Sequence, residues 1–305
     1  MMDDQLLTVV PASNEALAPA TELVFQHLPE GERAALLQTL LQIAAHDSDP
    51  FAGLLVARRG GVLVGAVWAQ IQPGNVSVLW PANVMSEEPK STLDRLMVEA
   101  VKFLEAAGVT MAQTVVEDKT STDIEVLYRA GFSHFADLHY MACTPVSFPS
   151  IRPSSDFEHL VFTPVLEDRF RRVVERTYEA TLDCPALNGV RPIAEVFEGY
   201  RATGTFLPEN WRLIVDKQRD VGCLLLADHP GADKLELVYM GVVPEARGRR
   251  LGRELTVYAQ WLARCAGRSR LVLAVDTKNQ PAIDVYLSLG FFAWDRRSVF
   301  LRTFG

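Results

Sequence analysis

Apolar positions along this chain recur at two periods, and the changes between them lay out two similar runs of elements. In the first run, helical spacing covers Leu23–Leu28 and Glu32–Ala45, the latter with Leu36, Leu37, Leu40, Leu41 and Ile43 on a broad face. Strand patterns at Leu54–Ala57 and Val62–Gln70 flank the tight turn Arg58-Arg59-Gly60-Gly61, and Val76–Trp80 reads as a third strand. Leu93–Ala107 reads as a helix with Leu93, Leu96, Val101 and Leu104 inside, closed by Gly108. A strand near Thr114–Val116, a short helix near Asp123–Ala130, Gly131 and a strand at Phe135–Cys143 complete the run.

The second run starts with helical material over 165–203 and strands at Trp211–Asp216 and Gly222–Asp228. The strand Leu235–Val243 follows, and Pro244 stops it because proline cannot donate to a ladder. Leu251, Leu255, Tyr258 and Leu262 then repeat at helical spacing. A strand at Arg270–Val275, a short helix at Pro281–Ser288, Gly290 and a strand near Ser298–Thr303 end the chain. Between the runs, residues 143–157 carry three prolines and four serines, the composition of a linker. The expected division is therefore a domain at 1–146, a linker at 147–157 and a domain at 158–305.

The repetition survives alignment. At a shift of 159, Val257–Gly267 falls on Val98–Gly108 with four of eleven positions identical. At the same shift Asp276–Phe291 falls on Glu117–Phe132 with five of sixteen identical. A length of 305 residues accommodates two ordinary domains, and 49% apolar with 22% charged residues indicates a folded chain.

Charge narrows the function. The net charge is −8, so the arginine-rich turn at 247–253 looks local and ligand-directed, not a general nucleic-acid surface. That turn holds Arg247, Gly248, Arg249, Arg250, Gly252 and Arg253 at the start of a helix. A helix N-terminus offers unpaired N–H groups and the positive end of the dipole, and with arginine and glycine it makes a phosphate site. The first repeat has Glu88-Pro89-Lys90-Ser91-Thr92-Leu93 there, with an acid for the arginine and neither glycine. It also has Ser77 for Glu236, Leu127 for Tyr286 and Thr120 for Asn279, so it keeps the fold pattern and lacks the site chemistry. A G-x-x-x-x-G-K-[ST] loop is absent, which weighs against an ATP site.

No apolar run has the length of a membrane span, and MMDDQLLTVV lacks the pattern of a signal peptide, so a cytoplasmic protein without membrane partners is expected. Cys143, Cys184, Cys223 and Cys265 are scattered, and the six histidines show no ligand spacing, so no metal is expected.

The second repeat resembles the GNAT superfamily of acetyl-CoA-dependent N-acetyltransferases. The stretch Gly241–Gly252 matches that family's strand followed by Q/R-x-x-G-x-G/A, with Arg247 first, Gly252 last and Arg250 replacing the middle glycine. Asn279–Phe291 matches its N-x-x-A-x-x-x-Y-x-x-x-G-F element. The resemblance implies an α/β (α+β) fold of two tandem GNAT-like domains. Each would be a mixed, mainly antiparallel sheet flanked by helices, with a splayed strand pair at the cofactor cleft.

It further implies acetyl-CoA as co-substrate. The pantetheine arm would pair with backbone at Met240 and Val242, and the pyrophosphate would meet the 247–253 turn, with Asn279 on the pantetheine. Tyr286 would be the acid that protonates the leaving thiolate. Glu236 is the candidate base, where alternation places it on one face with Val238, Met240 and Val242, and Asp276 is a lesser candidate. The acceptor, a small-molecule or peptide amine, would meet the 165–205 segment, where Tyr178, Asp183 and Asn188 are candidate contacts. Covalent catalysis by Cys184 or Cys223 is disfavoured because no histidine is placed beside either. The alternative is a non-catalytic acyl-CoA-binding or regulatory protein; a homodimer is compatible with either reading.

Overall fold

The computed structural model of the chain describes residues 6–26, 33, 49–117 and 121–304; all but residue 33 of the helix expected at 32–45 lies outside them. The chain divides into two compact units, Met1–His134 with Val299–Gly305, and Phe135–Ser298.

The first unit contains β1 (Leu7–Pro11), α1 (Leu17–Val24), β2 (Leu54–Arg59), β3 (Val62–Gln72), β4 (Val76–Val84), α2 (Lys90–Ala106), β5 (Met111–Val116) and α3 (Ser121–Arg129). Strands β1 to β4 pair antiparallel in sequence order. β4 then runs parallel to β5 over Val76–Val78 and Met111–Gln113 only. The helical spacing of Leu96, Ala100 and Leu104 seats α2 on one sheet face, against Leu79 and Ala112. Phe25, Val56 and Trp68 form a separate core that includes Ala20 and Val24 of α1.

The second unit repeats this plan. It contains β6 (Ser133–Cys143), β7 (Glu158–Val161), α4 (Glu167–Thr177), α5 (Ile193–Ala202), β8 (Trp211–Asp216), β9 (Arg219–His229), β10 (Lys234–Val242), α6 (Leu251–Cys265), β11 (Arg270–Asp276), α7 (Gln280–Ser288) and the first part of β12 (Phe292–Thr303). β7, β8, β9 and β10 are antiparallel neighbours. β10 and β11 are parallel, and β11 is antiparallel to β6. Tyr258, Leu262 and Ala263 of α6 pack with Leu224, Leu226, Leu235 and Leu237 of the sheet. Phe170, Val173 and Val174 of α4 and Phe197 of α5 pack with Trp211, Leu213 and Leu225.

Compactness and repetition divide the chain at different places. β6 ends the first repeat in sequence but belongs to the second compact unit. The proline- and serine-rich stretch lies against α6, where the Arg152 guanidinium sits 5.7 Å from the Trp261 ring centre and 5.9 Å from that of Tyr258. Strands β1 and β7 were not expected from the sequence; at five and four residues both are too short for an alternation to stand out. Among the described residues, no helix is long and apolar enough to cross a membrane.

Candidate functional site

The site is built where β10 and β11 part. They pair only over Lys234–Glu236 and Arg270–Val272. Beyond that, β11 runs on to Asp276 and β10 to Val242, leaving backbone on both without a shared ladder. A bulge sits just past the parting point: Leu237 opposes Leu226 and Tyr239 opposes Leu225, so Val238 is the extra residue. One extra residue shifts alternation by one. The expectation that Glu236 shares a face with Met240 and Val242 is therefore corrected: Glu236 is in phase with Tyr239 and Gly241. That side faces α4. A Cβ on Gly241 would stand 2.5 Å from Thr177 Oγ1, and the same hydroxyl lies 2.6 Å from the Tyr239 phenol.

The turn after β10 holds two residues in left-handed conformation, Gly248 at φ +74° and Arg250 at φ +63°. The position where the family motif has its middle glycine therefore keeps the glycine conformation with an arginine in it, at a cost of roughly 1–2 kcal/mol. The N–H groups of 251–253 precede the first helical bond, from Glu254 N–H to Arg250 O, and are open to an anion. A Cβ added at Gly248 or Gly252 would meet nothing within 4 Å, so the face above the turn is clear.

The four arginines have different tasks. Arg247 is turned inward, donating to the carbonyls of Thr177 (2.9 Å), Val242 (3.0 Å) and Ala180 (3.1 Å). Arg249 pairs with Asp216 at 2.7 Å and lies 5.2 Å from the Phe157 ring centre. Arg253 donates to Ser288 Oγ at 3.3 Å. Arg250 is exposed and makes no ion pair among the described residues.

Opposite the turn, α7 carries Tyr286, which is 6% exposed and packs against Phe291. Burial, with the Asp183 charge, raises its phenol well above the ordinary value. Asn279, at the head of α7, lies beside the Asp183 carboxyl and acts to lower its pKa. Asp183 is exposed as a residue, but its carboxyl is turned in against the end of β11 and accepts the Asp276 N–H at 2.9 Å. Burial raises its pKa and the Asp276 charge adds to this, outweighing the hydrogen bonds. Cys184, in left-handed conformation at φ +47°, donates its N–H to Asp276 Oδ2 at 3.3 Å. Its thiol is pushed up to about 12 by burial and by the neighbouring aspartates, and burial does the same to Cys223, so both are protonated at neutral pH.

Glu236 is committed to partners. One of its carboxylate oxygens lies 2.9 Å from His229 Nε2 and 3.8 Å from Lys234 Nζ. Burial works to raise its pKa, but the His229 contact and the Lys234 charge outweigh it and lower the value. Of the other acceptor-side candidates, Tyr178 joins its hydroxyl to that of Tyr200 at 3.1 Å, and Asn188 donates to the Tyr178 carbonyl at 2.8 Å. Tyr200 stacks on Tyr239 at 5.2 Å. Sequence reasoning passed over Thr177, Tyr200, Tyr239 and His229, which stand in no motif; only the bulge brings the Tyr239 ring to this face.

In the first unit, Glu88 stands at the position matching Arg247. Arg59 forks onto it with two bonds of 3.1 Å, and the Thr92 hydroxyl in the first turn of α2 donates to it at 2.8 Å. The Arg59 contact, opposed by burial, lowers its pKa, so this unit's turn holds a carboxylate of its own.

Residues 176–291 match the acetyltransferase (GNAT) family model. A mycothiol acetyltransferase from Arthrobacter sp. is 37% identical over 95 residues, 30% of this chain and 29% of that protein; the chain thus spans under a third of that relative's length. A GCN5-related N-acetyltransferase from Sphaerobacter thermophilus aligns with TM-score 0.66 and 15% identity, covering 99% of this chain and 97% of its own. A tandem GNAT protein from the clavulanic acid biosynthesis pathway aligns with TM-score 0.52 and 17% identity over 98% and 99% of the two chains. At these identities the structural likeness speaks for the fold alone, and it is that of paired GNAT units. The stretch that matches the GNAT acetyltransferase family model, 176–291, thus holds the parted strands, the arginine turn and the Asn279–Phe291 element.

Proposed function

We propose that the chain is an N-acetyltransferase of the cytoplasm whose second unit moves an acetyl group from acetyl-CoA to a primary amine by direct attack. The observation that carries this reading is the parting of β10 from β11 beside a bulge, between an open helix N-terminus and a buried tyrosine. The N–H groups of 251–253 and the Arg250 side chain fit a pyrophosphate, and the free backbone of Met240–Val242 fits a pantetheine amide. Arg247 acts as a brace that shapes the turn. Acetyl-CoA supplies the activated acyl group and the leaving thiol.

Glu236 takes the proton of the incoming amine through water, and Tyr286, whose raised pKa keeps it protonated, gives its proton to the departing sulfur. Backbone N–H groups at the bulge stabilise the negative charge developing on the thioester oxygen. In the first unit the Glu88 carboxylate fills the matching turn, so we assign no CoA binding to it.

Titration calorimetry with acetyl-CoA and with ATP, followed by CoA release across amines, tests the reading. The panel includes mycothiol-related amines, in view of the relative's name, with polyamines, amino sugars and peptides. Binding of ATP but not acetyl-CoA would overturn it. A second reading, a non-catalytic acyl-CoA-binding protein, draws support from the pairing of Glu236 with His229, which weakens it as a base. It predicts acetyl-CoA binding with no turnover of any amine.

A further inference from the structure

Among the described residues, Arg212 is the only buried lysine or arginine, at 7% exposed, and it makes no ion pair among them. From β8 its Nε donates to the Tyr258 phenol at 3.3 Å, and its Nη1 donates to the carbonyls of Glu209 and Trp211. These acceptors are neutral, so the charge stays uncompensated and Nη2 has no partner among the described residues. The buried acid Asp228 in the same unit, by contrast, carries Arg268 at 2.6 Å. A buried guanidinium without a counter-charge is costly, and an anion beside it removes that cost. Two further basic groups meet it at the Tyr258 ring. The guanidinium carbons of Arg212 and Arg152 lie 5.7 and 5.9 Å from that ring centre, and the His159 ring lies 4.5 Å from it. Arg152 is exposed and also makes no ion pair among the described residues.

An independent observation points to a ligand at the same place. The His159 side chain is 3% exposed, and its Nδ1 is buried without a hydrogen-bond partner. The bonds around the other ring nitrogen fix the proton. The Ser155 hydroxyl donates to Glu254 and accepts the Phe157 N–H at 3.0 Å, so its remaining lone pair takes the proton of His159 Nε2, 3.1 Å away. Nδ1 is then a bare lone pair in arginine surroundings. Glu254, the acid beside the ring, lies on the Nε2 edge at 3.8 Å. Burial, with the charges of Arg212 and Arg152, holds His159 neutral. Asn210, in the turn before β8, leaves a buried Nδ2 unpartnered next to Glu209, whose carbonyl Arg212 holds.

We propose that Arg152, Arg212 and His159 form a binding site for a divalent tetrahedral oxyanion, the phosphate or sulfate class. The two guanidinium groups supply the charge. His159 takes a proton from solvent at Nδ1 and donates it to the anion in a charge-assisted hydrogen bond. Tyr258 stands about two helical turns beyond the arginine turn on α6, so this site is separate from the phosphate face assigned to acetyl-CoA. A free ion and the end of a phosphomonoester present the same chemistry to it.

The test follows the His159 ring by NMR during titration with sulfate, which does not itself titrate near neutral pH, against chloride at matched ionic strength. Sulfate should shift the ring resonances, move the His159 pKa back up towards its ordinary value and bind about tenfold more tightly at pH 5 than at pH 7. The groups facing the ring are Arg212 from β8, Arg152 and Ser155 from the linker, and Glu254 and Tyr258 from α6. Arg152→Gln, at an exposed position where folding is not at stake, should weaken sulfate about tenfold, and Arg212→Met should abolish the response. Arg250→Gln should leave it unchanged. Inorganic phosphate and phenyl phosphate, compared at pH 7, distinguish a free ion from a phosphomonoester, and tighter binding of either supports the site. A His159 ring that answers sulfate no more than chloride, an affinity independent of pH, or full affinity in Arg152→Gln overturns the inference. Loss of the response in Arg250→Gln overturns it too, because the ion would then belong to the helix terminus.

Discussion

Arg247 holds the carbonyl of Thr177 at 2.9 Å, and this bond joins the turn after β10 to the end of α4. With Val242 O and Ala180 O it spends the guanidinium on backbone. Arg247→Ala should cost about 2 kcal/mol in urea unfolding, since three carbonyls lose a charged donor. Lysine should recover little, because it lacks the planar fork. Acetyl-CoA binding should weaken with an unchanged salt dependence; a reduced salt slope would mean that Arg247 meets phosphate directly.

Arg250 makes the opposite case. Glycine adopts φ +63° without strain, so Arg250→Gly should raise stability by about 1 kcal/mol in thermal unfolding. The same change should weaken acetyl-CoA binding and lower its salt dependence, because an unpaired cation leaves the phosphate side of the turn. A loss of stability would show that the Arg250 side chain is held by contacts.

Tyr286→Phe should leave stability unchanged, since the phenol makes no hydrogen bond among the described residues. It should lower kcat on the order of a hundredfold and keep the acetyl-CoA Kd. Because its pKa is raised, Tyr286 keeps its proton across the usual assay range and contributes no falling alkaline limb up to about pH 10. An alkaline limb that disappears in the phenylalanine variant would contradict this.

Glu236→Gln should lower kcat most at neutral pH and progressively less at high pH, where free amine is plentiful. A loss that is uniform with pH would remove the base role. The lowered pKa of Glu236 also contributes stability, present above the ordinary carboxylate range and lost as pH falls through the folded value. The glutamine variant should therefore show a shallower acid loss of stability.

His159 gives the clearest pH signature. Its side chain is 3% exposed and lies 4.5 Å from the Tyr258 ring centre. Burial, with the charges of Arg212 and Arg152, pushes its pKa from 6.5 down to about 4. Between these values the unfolded chain binds a proton that the folded chain does not. Stability should thus fall as pH drops from about 6.5 to about 4, by as much as about 3 kcal/mol. His159→Phe should flatten that part of the profile in pH-dependent urea unfolding, and an unflattened one would assign the loss to other groups.

The elements of the site were legible because their periodicity is local. Strand β8 and the helix at Gln280–Ser288 fall within a residue of their expected bounds, and the two repeats keep their shift of 159 from β11 to α7. What was hidden depends on chain segments far apart in sequence. The Arg247 side chain looked free because Thr177 and Ala180, its acceptors, lie 70 and 67 residues away. The face of Glu236 was misread because a bulge is one residue of geometry that leaves no mark on an apolar alternation. The replacement of glycine by Arg250 was visible, but its left-handed conformation was not.

β11, which ends in Asp276, runs beside β6 for six residues, Leu271–Asp276 against Cys143–Leu138. Asp137 then accepts the Ser298 hydroxyl at 2.6 Å and, through its carbonyl, the Thr277 N–H at 2.8 Å. β6 ends at Cys143, where the proline- and serine-rich stretch begins. A polypeptide severed within that stretch would retain each motif residue of the second repeat and leave β11 an open edge. The segment that is duplicated is therefore not the segment that is compact, and a piece of this chain that keeps β11 paired along that edge has to include β6.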